Sequence, residues 1–115
     1  FTRDPAELEA LLVKTTDMSM VRLPAPLFLG TGLADRTIAP RRQYAAVATL
    51  CESGNPLVWK TYPGITHNGI VNAAFEDELR FVRSVFANAT QQSNCALIAE
   101  PGVAEPATPG RGFND

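Results

Sequence analysis

Apolar and polar positions in this chain follow two rhythms, one helical and one extended. Leu8, Leu11 and Leu12 recur at helical spacing behind Asp4-Pro5-Ala6-Glu7. In that opening the Asp accepts early amide protons, the Pro fits the first helical position and the Glu reaches back three residues on. A first helix is therefore predicted, ending near Lys14 or Thr15. Pro24 and Pro26 lead into Leu27-Phe28-Leu29, a run without polar alternation that predicts a strand covered on both faces. Beyond Gly30-Thr31-Gly32, Pro40 opens a second helix in which Tyr44, Val47, Ala48 and Cys51 share a face and which Gly54 ends. Leu57 to Tyr62 predicts a second strand, with Leu57, Trp59 and Thr61 facing one way and Val58, Lys60 and Tyr62 the other. Lys60 places that strand near a sheet edge. A third helix is predicted from about Asn72 to Ala87, burying Phe75, Leu79, Val82 and Phe86. Its acidic residues come early and Arg80 and Arg83 late, which suits the helix dipole.

The expected fold class is thus α/β, in the order helix-strand-helix-strand-helix. Each step between strands is long enough for a crossover, so the two strands should be parallel. Two strands alone make a poor sheet, and the chain opens on Phe1 rather than Met. Residues 1–95 are accordingly read as the C-terminal part of a larger α/β domain. Residues 96–115, rich in Pro and Gly, are expected to form a flexible tail.

Composition narrows the function classes. With 45% hydrophobic and 19% charged residues over 115 positions and a net charge of −2, the chain reads as globular. It has no basic stripe interleaved with aromatics, so nucleic acid is not an expected partner. No run approaches the apolar length of a membrane span, and no signal peptide opens the chain. One His and two separated Cys form no metal motif, and no cofactor is expected. Cys51 and Cys95 are compatible with two buried thiols or with one bridge. Asn88-Ala89-Thr90 is an acceptor triplet for N-glycosylation.

The candidate chemistry lies at the strand ends. Asp35 follows the first strand and its glycine turn, and His67, the single histidine, follows the second strand and the Pro63-Gly64 turn. Either residue alone has an ordinary reading, the Asp as a turn former or cap and the His as a surface or satisfied core residue. Together they sit where open α/β sheets place functional groups, past the carboxyl ends of consecutive parallel strands. Adjacent strands lie about 4.8 Å apart, so loops of ordinary length can join carboxylate and imidazole. An Asp that holds one ring nitrogen leaves the other free to take a proton from a serine.

The phrases PLFLGTGLADRTIAP and YPGITHNG resemble the C-terminal part of an α/β-hydrolase, closest to the secretory lipase and esterase family of fungi and bacteria. The resemblance covers roughly residues 4 to 95. It implies that Asp35 is the triad acid and His67 the triad base of a serine carboxylic-ester hydrolase, with the serine earlier in the chain. It also implies a Cys51–Cys95 bridge, a secreted or periplasmic location and a small-molecule ester or lipid substrate. Leu33, Ile65, Ile70 and Val71, beside the pair, are candidates to line an apolar acyl site, with ordinary packing as the competing reading.

The family's G-x-S-x-G motif is absent, for none of Ser19, Ser53, Ser84 and Ser93 stands between such glycines. The nucleophile and the oxyanion hole are therefore expected upstream, and the chain alone is expected to be inactive. Three other readings compete. Gly30-Thr31-Gly32-Leu33-Ala34-Asp35 partly matches a dinucleotide-binding loop, although Asp stands in place of the third Gly. The chain could also be a non-catalytic binding module derived from the same fold, or one segment of a nicked enzyme.

Overall fold

The computed structural model describes residues 4–16, 21–111, 113 and 114; Ser19 lies outside them. Helix α1 (Pro5–Thr16) is followed by strand β1 (Leu27–Gly32), helix α2 (Pro40–Glu52), strand β2 (Leu57–Tyr62) and helix α3 (Gly69–Phe86). A 3-10 turn follows at Cys95–Leu97. The expected order and the parallel pairing are both present, with Leu27 opposite Leu57 and Gly32 opposite Tyr62. The fold is a mixed α/β arrangement of three helices and one two-stranded parallel sheet among the described residues.

Alternation along the strands divides the packing. Val47 of α2 meets Leu57 and Trp59 in a buried cluster that Leu27, Leu29, Tyr44 and Cys51 complete. The opposite face carries Phe28, whose ring lies 5.6 Å from that of Phe81 on α3. Lys60 and Tyr62 on this face both donate to Asp77 of α3, which Arg80 also reaches. The bonds from Lys60 and Tyr62 outweigh desolvation and hold the Asp77 carboxyl below its ordinary range. Burial, helped by the bond to Asp77, pushes the Tyr62 phenol well above its own. The even side of β2 is therefore fixed to α3 by polar contacts and the odd side to α2 by apolar ones.

Asparagines tie the irregular segments to this frame. Asn55, buried between α2 and β2, accepts the Leu23 N–H at 2.7 Å and donates to the Val21 and Leu50 carbonyls. Along the outer edge of β2, Asn94 accepts the Trp59 N–H at 2.8 Å and donates to the Trp59 carbonyl at 2.7 Å. It thereby substitutes for a neighbouring strand. The adjacent Cys95 is bonded to Cys51, with Cα atoms 5.7 Å apart.

Two expectations about α3 are corrected. It begins at Gly69 rather than near Asn72, and its buried face is not the Phe75–Leu79–Val82–Phe86 stripe. Phe75, Val82 and Phe86 are exposed, Phe86 by 84%. The buried residue at the sheet is Ala74, packed over Gly30, where an added Cβ would lie 3.3 Å from the Ala74 methyl. A small residue facing a glycine lets helix and strand approach closely, and Phe75 at that contact would hold them apart. On α1, Asp4 accepts the Ala6 N–H as expected, while Leu8 and Val13 are exposed by 39% and 55%.

Candidate functional site

The loops leaving β1 and β2 are laced together by their own backbones. Leu33 donates to the Tyr62 carbonyl at 3.0 Å, Ala34 to the Ile65 carbonyl at 2.9 Å, and Asp35 to the Gly32 carbonyl at 3.2 Å. Gly32 is needed here, because a Cβ on it would collide with the Ile65 carbonyl. These bonds consume the amides that a dinucleotide-binding loop would turn toward a pyrophosphate. The Gly30–Asp35 segment is a lacing point between two loops and not a phosphate cradle.

The lacing brings the acid and the imidazole together. His67 Nδ1 lies 2.9 Å from Asp35 Oδ2, with the Asp35 side chain 4% exposed and that of His67 44% exposed. Asp35 Oδ1 accepts the Thr37 N–H at 2.8 Å and the Ile38 N–H at 2.9 Å, and Oδ2 also accepts from Gln43 Nε2 at 2.9 Å. Burial pushes the Asp35 carboxyl up. The bonds from His67, Ile38 and Thr37, together with attraction to the ring, more than offset this and leave it below the ordinary value of 3.8.

The sign of the resulting pH dependence is definite. A carboxyl held lower in the folded state contributes stability in full above pH 3.8, and that contribution disappears as the pH falls through the lower folded value. Asp35→Asn has no such titration. The difference in urea midpoint between the native chain and Asp35→Asn should be largest above pH 3.8 and should narrow on further acidification. A difference that stays constant across that range would contradict the assignment.

A cavity of about 520 Å³ opens beside His67, with Arg36, Thr37, Thr66, Asn68, Pro106 and Asn114 among its walls. None of Leu33, Ile65, Ile70 and Val71 belongs to it. Leu33 faces a different hollow with Trp59 and Leu97, Ile65 is buried beneath the loop, Ile70 reaches Gly30 under α3, and Val71 is 68% exposed. Neighbourhood in sequence to Asp35 or His67 does not place these side chains on the cavity wall, because turn and helix send successive side chains in different directions.

The described part of the expected tail, residues 96–111, 113 and 114, runs back across both loops and supplies one cavity wall. Glu105 donates its amide to the Leu33 carbonyl at 2.7 Å and accepts the Gly64 N–H on its carboxylate at 2.9 Å. Thr108 donates to the Gly64 carbonyl at 2.8 Å. Buried Asn114 accepts the Thr66 N–H at 2.6 Å and donates to the Gly64 and Thr108 carbonyls. The His67 loop is thus held from both sides, by the Asp35 loop and by the tail.

Asn88 occupies an exposed turn with φ 54° at the end of α3, a conformation Asn tolerates, and is open to the modification its triplet suggests. Among the described residues no three His, Cys, Asp or Glu side chains are grouped to hold a metal ion. Nor is any described helix long and apolar enough to cross a membrane. Comparison with family models, with curated proteins and with solved structures gives no match for this chain.

Proposed function

We propose that this chain carries the acid and the base of a serine carboxylic-ester hydrolase of the lipase/esterase kind, corresponding to the C-terminal part of an α/β-hydrolase domain. The observation that supports the reading is the 2.9 Å contact between buried Asp35 and half-exposed His67 past the ends of adjacent parallel strands. His67 Nε2 takes the proton from a serine hydroxyl as its oxygen attacks the ester carbonyl, and returns it to the departing alcohol. A water molecule then repeats the cycle and releases the acid. Asp35 holds the ring and stabilises the imidazolium that forms.

The serine and the oxyanion donors belong to a segment outside these 115 residues, so the chain by itself performs no hydrolysis. The cavity beside His67, walled by Pro106 and Ala107 together with polar Arg36, Thr37 and Asn68, has room for a small ester or the head of a lipid substrate. The Cys51–Cys95 bridge suits an oxidising, secretory setting.

The test is a fluorophosphonate probe, which labels only an activated serine. In the polypeptide that joins this chain to its serine-bearing segment, labelling is expected at a G-x-S-x-G serine and should disappear in His67→Ala. Absence of any such serine in the joined polypeptide would leave a non-catalytic module. Hydrolysis of a nitrophenyl ester by the 115-residue chain, abolished by His67→Ala, would show that the nucleophile had been sought in the wrong place.

A further inference from the structure

Three side chains beyond the acid–histidine pair form a file from the core to the carboxylate. Trp59 Nε1 donates to Thr31 Oγ1 at 3.0 Å, and Thr31 Oγ1 donates to Gln43 Oε1 at 3.0 Å. Gln43 Nε2 donates to Asp35 Oδ2 at 2.9 Å and to the Ile38 carbonyl at 2.7 Å. Each of the three comes from a different element: β2, β1 and α2.

The direction of the file follows from which groups can donate. An indole N–H only donates, so Thr31 accepts from Trp59 and its one proton is left for Gln43 Oε1. That fixes the carboxamide with its NH₂ toward Asp35 and Ile38; turned over, its oxygen would face two acceptors. Asp35 then receives three protein N–H bonds, two on Oδ1 and one on Oδ2. A carboxyl so surrounded stays ionised. The remaining contact therefore requires the proton on His67 Nδ1 and leaves Nε2 bare.

We propose that Gln43 is a positioning residue for the Asp35–His67 pair, its amide oriented by Trp59 through Thr31 so that the neutral ring keeps the tautomer with a bare Nε2. The inference builds on the proton-transfer role given to His67 above, yet it can be read without any catalysis. Because the chain has one histidine, ¹⁵N shifts of the ring nitrogens report its tautomer unambiguously. In the ¹⁵N-labelled chain with the ring neutral, the Nδ1–H form should predominate. Gln43→Met keeps the length and removes the amide that anchors Oδ2, the oxygen facing the ring. With Oδ2 freed to turn away, the contact loosens and the half-exposed ring should divide between the two tautomers.

In the enzyme joined to its serine segment, the same substitution should lower kcat by about 10- to 100-fold, by analogy with the loss when partners that orient metal-bound histidines are removed, with KM little changed. A folded Gln43→Met chain that keeps a single Nδ1–H tautomer would overturn the proposal, because a packing role lowers the melting temperature without moving the tautomer. Should Gln43→Met fail to fold, Thr31→Ser and Thr31→Val decide. Serine preserves the hydroxyl and should keep the tautomer; valine removes it and should not. Identical spectra for those two would overturn the proposal. A tautomer shift in a joined polypeptide that labels no serine would preserve the positioning role and remove the hydrolase reading instead.

Discussion

Replacing both members of the Cys51–Cys95 bridge by alanine is expected to lower the stability of the fold by about 4 kcal/mol. The cysteines are 44 positions apart, and closing a loop of that size in the unfolded chain accounts for roughly this amount in the chain-entropy account. Small domains have only about 5–15 kcal/mol in all. Both cysteines pack against the Val47–Leu57–Trp59 cluster, so the change also thins the core on the α2 side. A local consequence should accompany the global one. Cys95 follows Asn94, whose side chain covers the Trp59 peptide on the outer edge of β2. Amide exchange at Trp59 should therefore accelerate more than exchange at Phe28 on β1, which lies on the α3 side of the sheet. Urea unfolding measures the first effect and hydrogen exchange the second. A loss below about 1 kcal/mol would mean that the unfolded chain already keeps the two segments close.

The sequence made the two strands and α2 legible because their signals are local. An unbroken apolar run, a proline at the start of a helix and a glycine at its end each act within a few residues. The Asp35–His67 pair was legible for a related reason: parallel pairing converts two strand ends into one place. The face of α3 was not. Ile70, Ala74, Asp77 and Phe81 form one stripe and Phe75, Leu79, Val82 and Phe86 another beside it. Hydrophobicity favours the second stripe, whereas the sheet takes the first because Ala74 fits over Gly30. Buried polar contacts were the least legible. Gln43 looks like any surface residue in the first turns of α2, and Asn94 and Asn114 like any loop residue. Their roles depend on partners that sequence spacing does not reveal, 50 positions away in the bond from Asn114 to the Gly64 carbonyl. The tail's Pro and Gly content signals irregular backbone, which is correct, but irregular backbone can still be laid down along a fixed path by a few such bonds.

Asp35→Asn should leave the fold in place and lower kcat of the serine-complemented enzyme by about 10⁴, the size of the corresponding loss in a serine protease. The reason can be followed atom by atom. The Thr37 and Ile38 amides both point at Oδ1, so an asparagine must keep its oxygen there and turn its NH₂ toward His67 and Gln43. That NH₂ now faces the Gln43 NH₂, two donors with no acceptor between them, and this accounts for a moderate loss of stability. Toward His67 the amide donates, so Nδ1 becomes the acceptor and the ring proton moves to Nε2. The nitrogen that should accept the serine proton is then already protonated, and the imidazolium would no longer face a negative charge. Ring ¹⁵N shifts should show the exchanged tautomer in Asp35→Asn, alongside an unchanged far-ultraviolet spectrum. Asp35→Asn with full activity would remove Asp35 from the mechanism even with the 2.9 Å contact intact, whereas lost activity with the original tautomer would place the defect in the imidazolium's missing counter-charge.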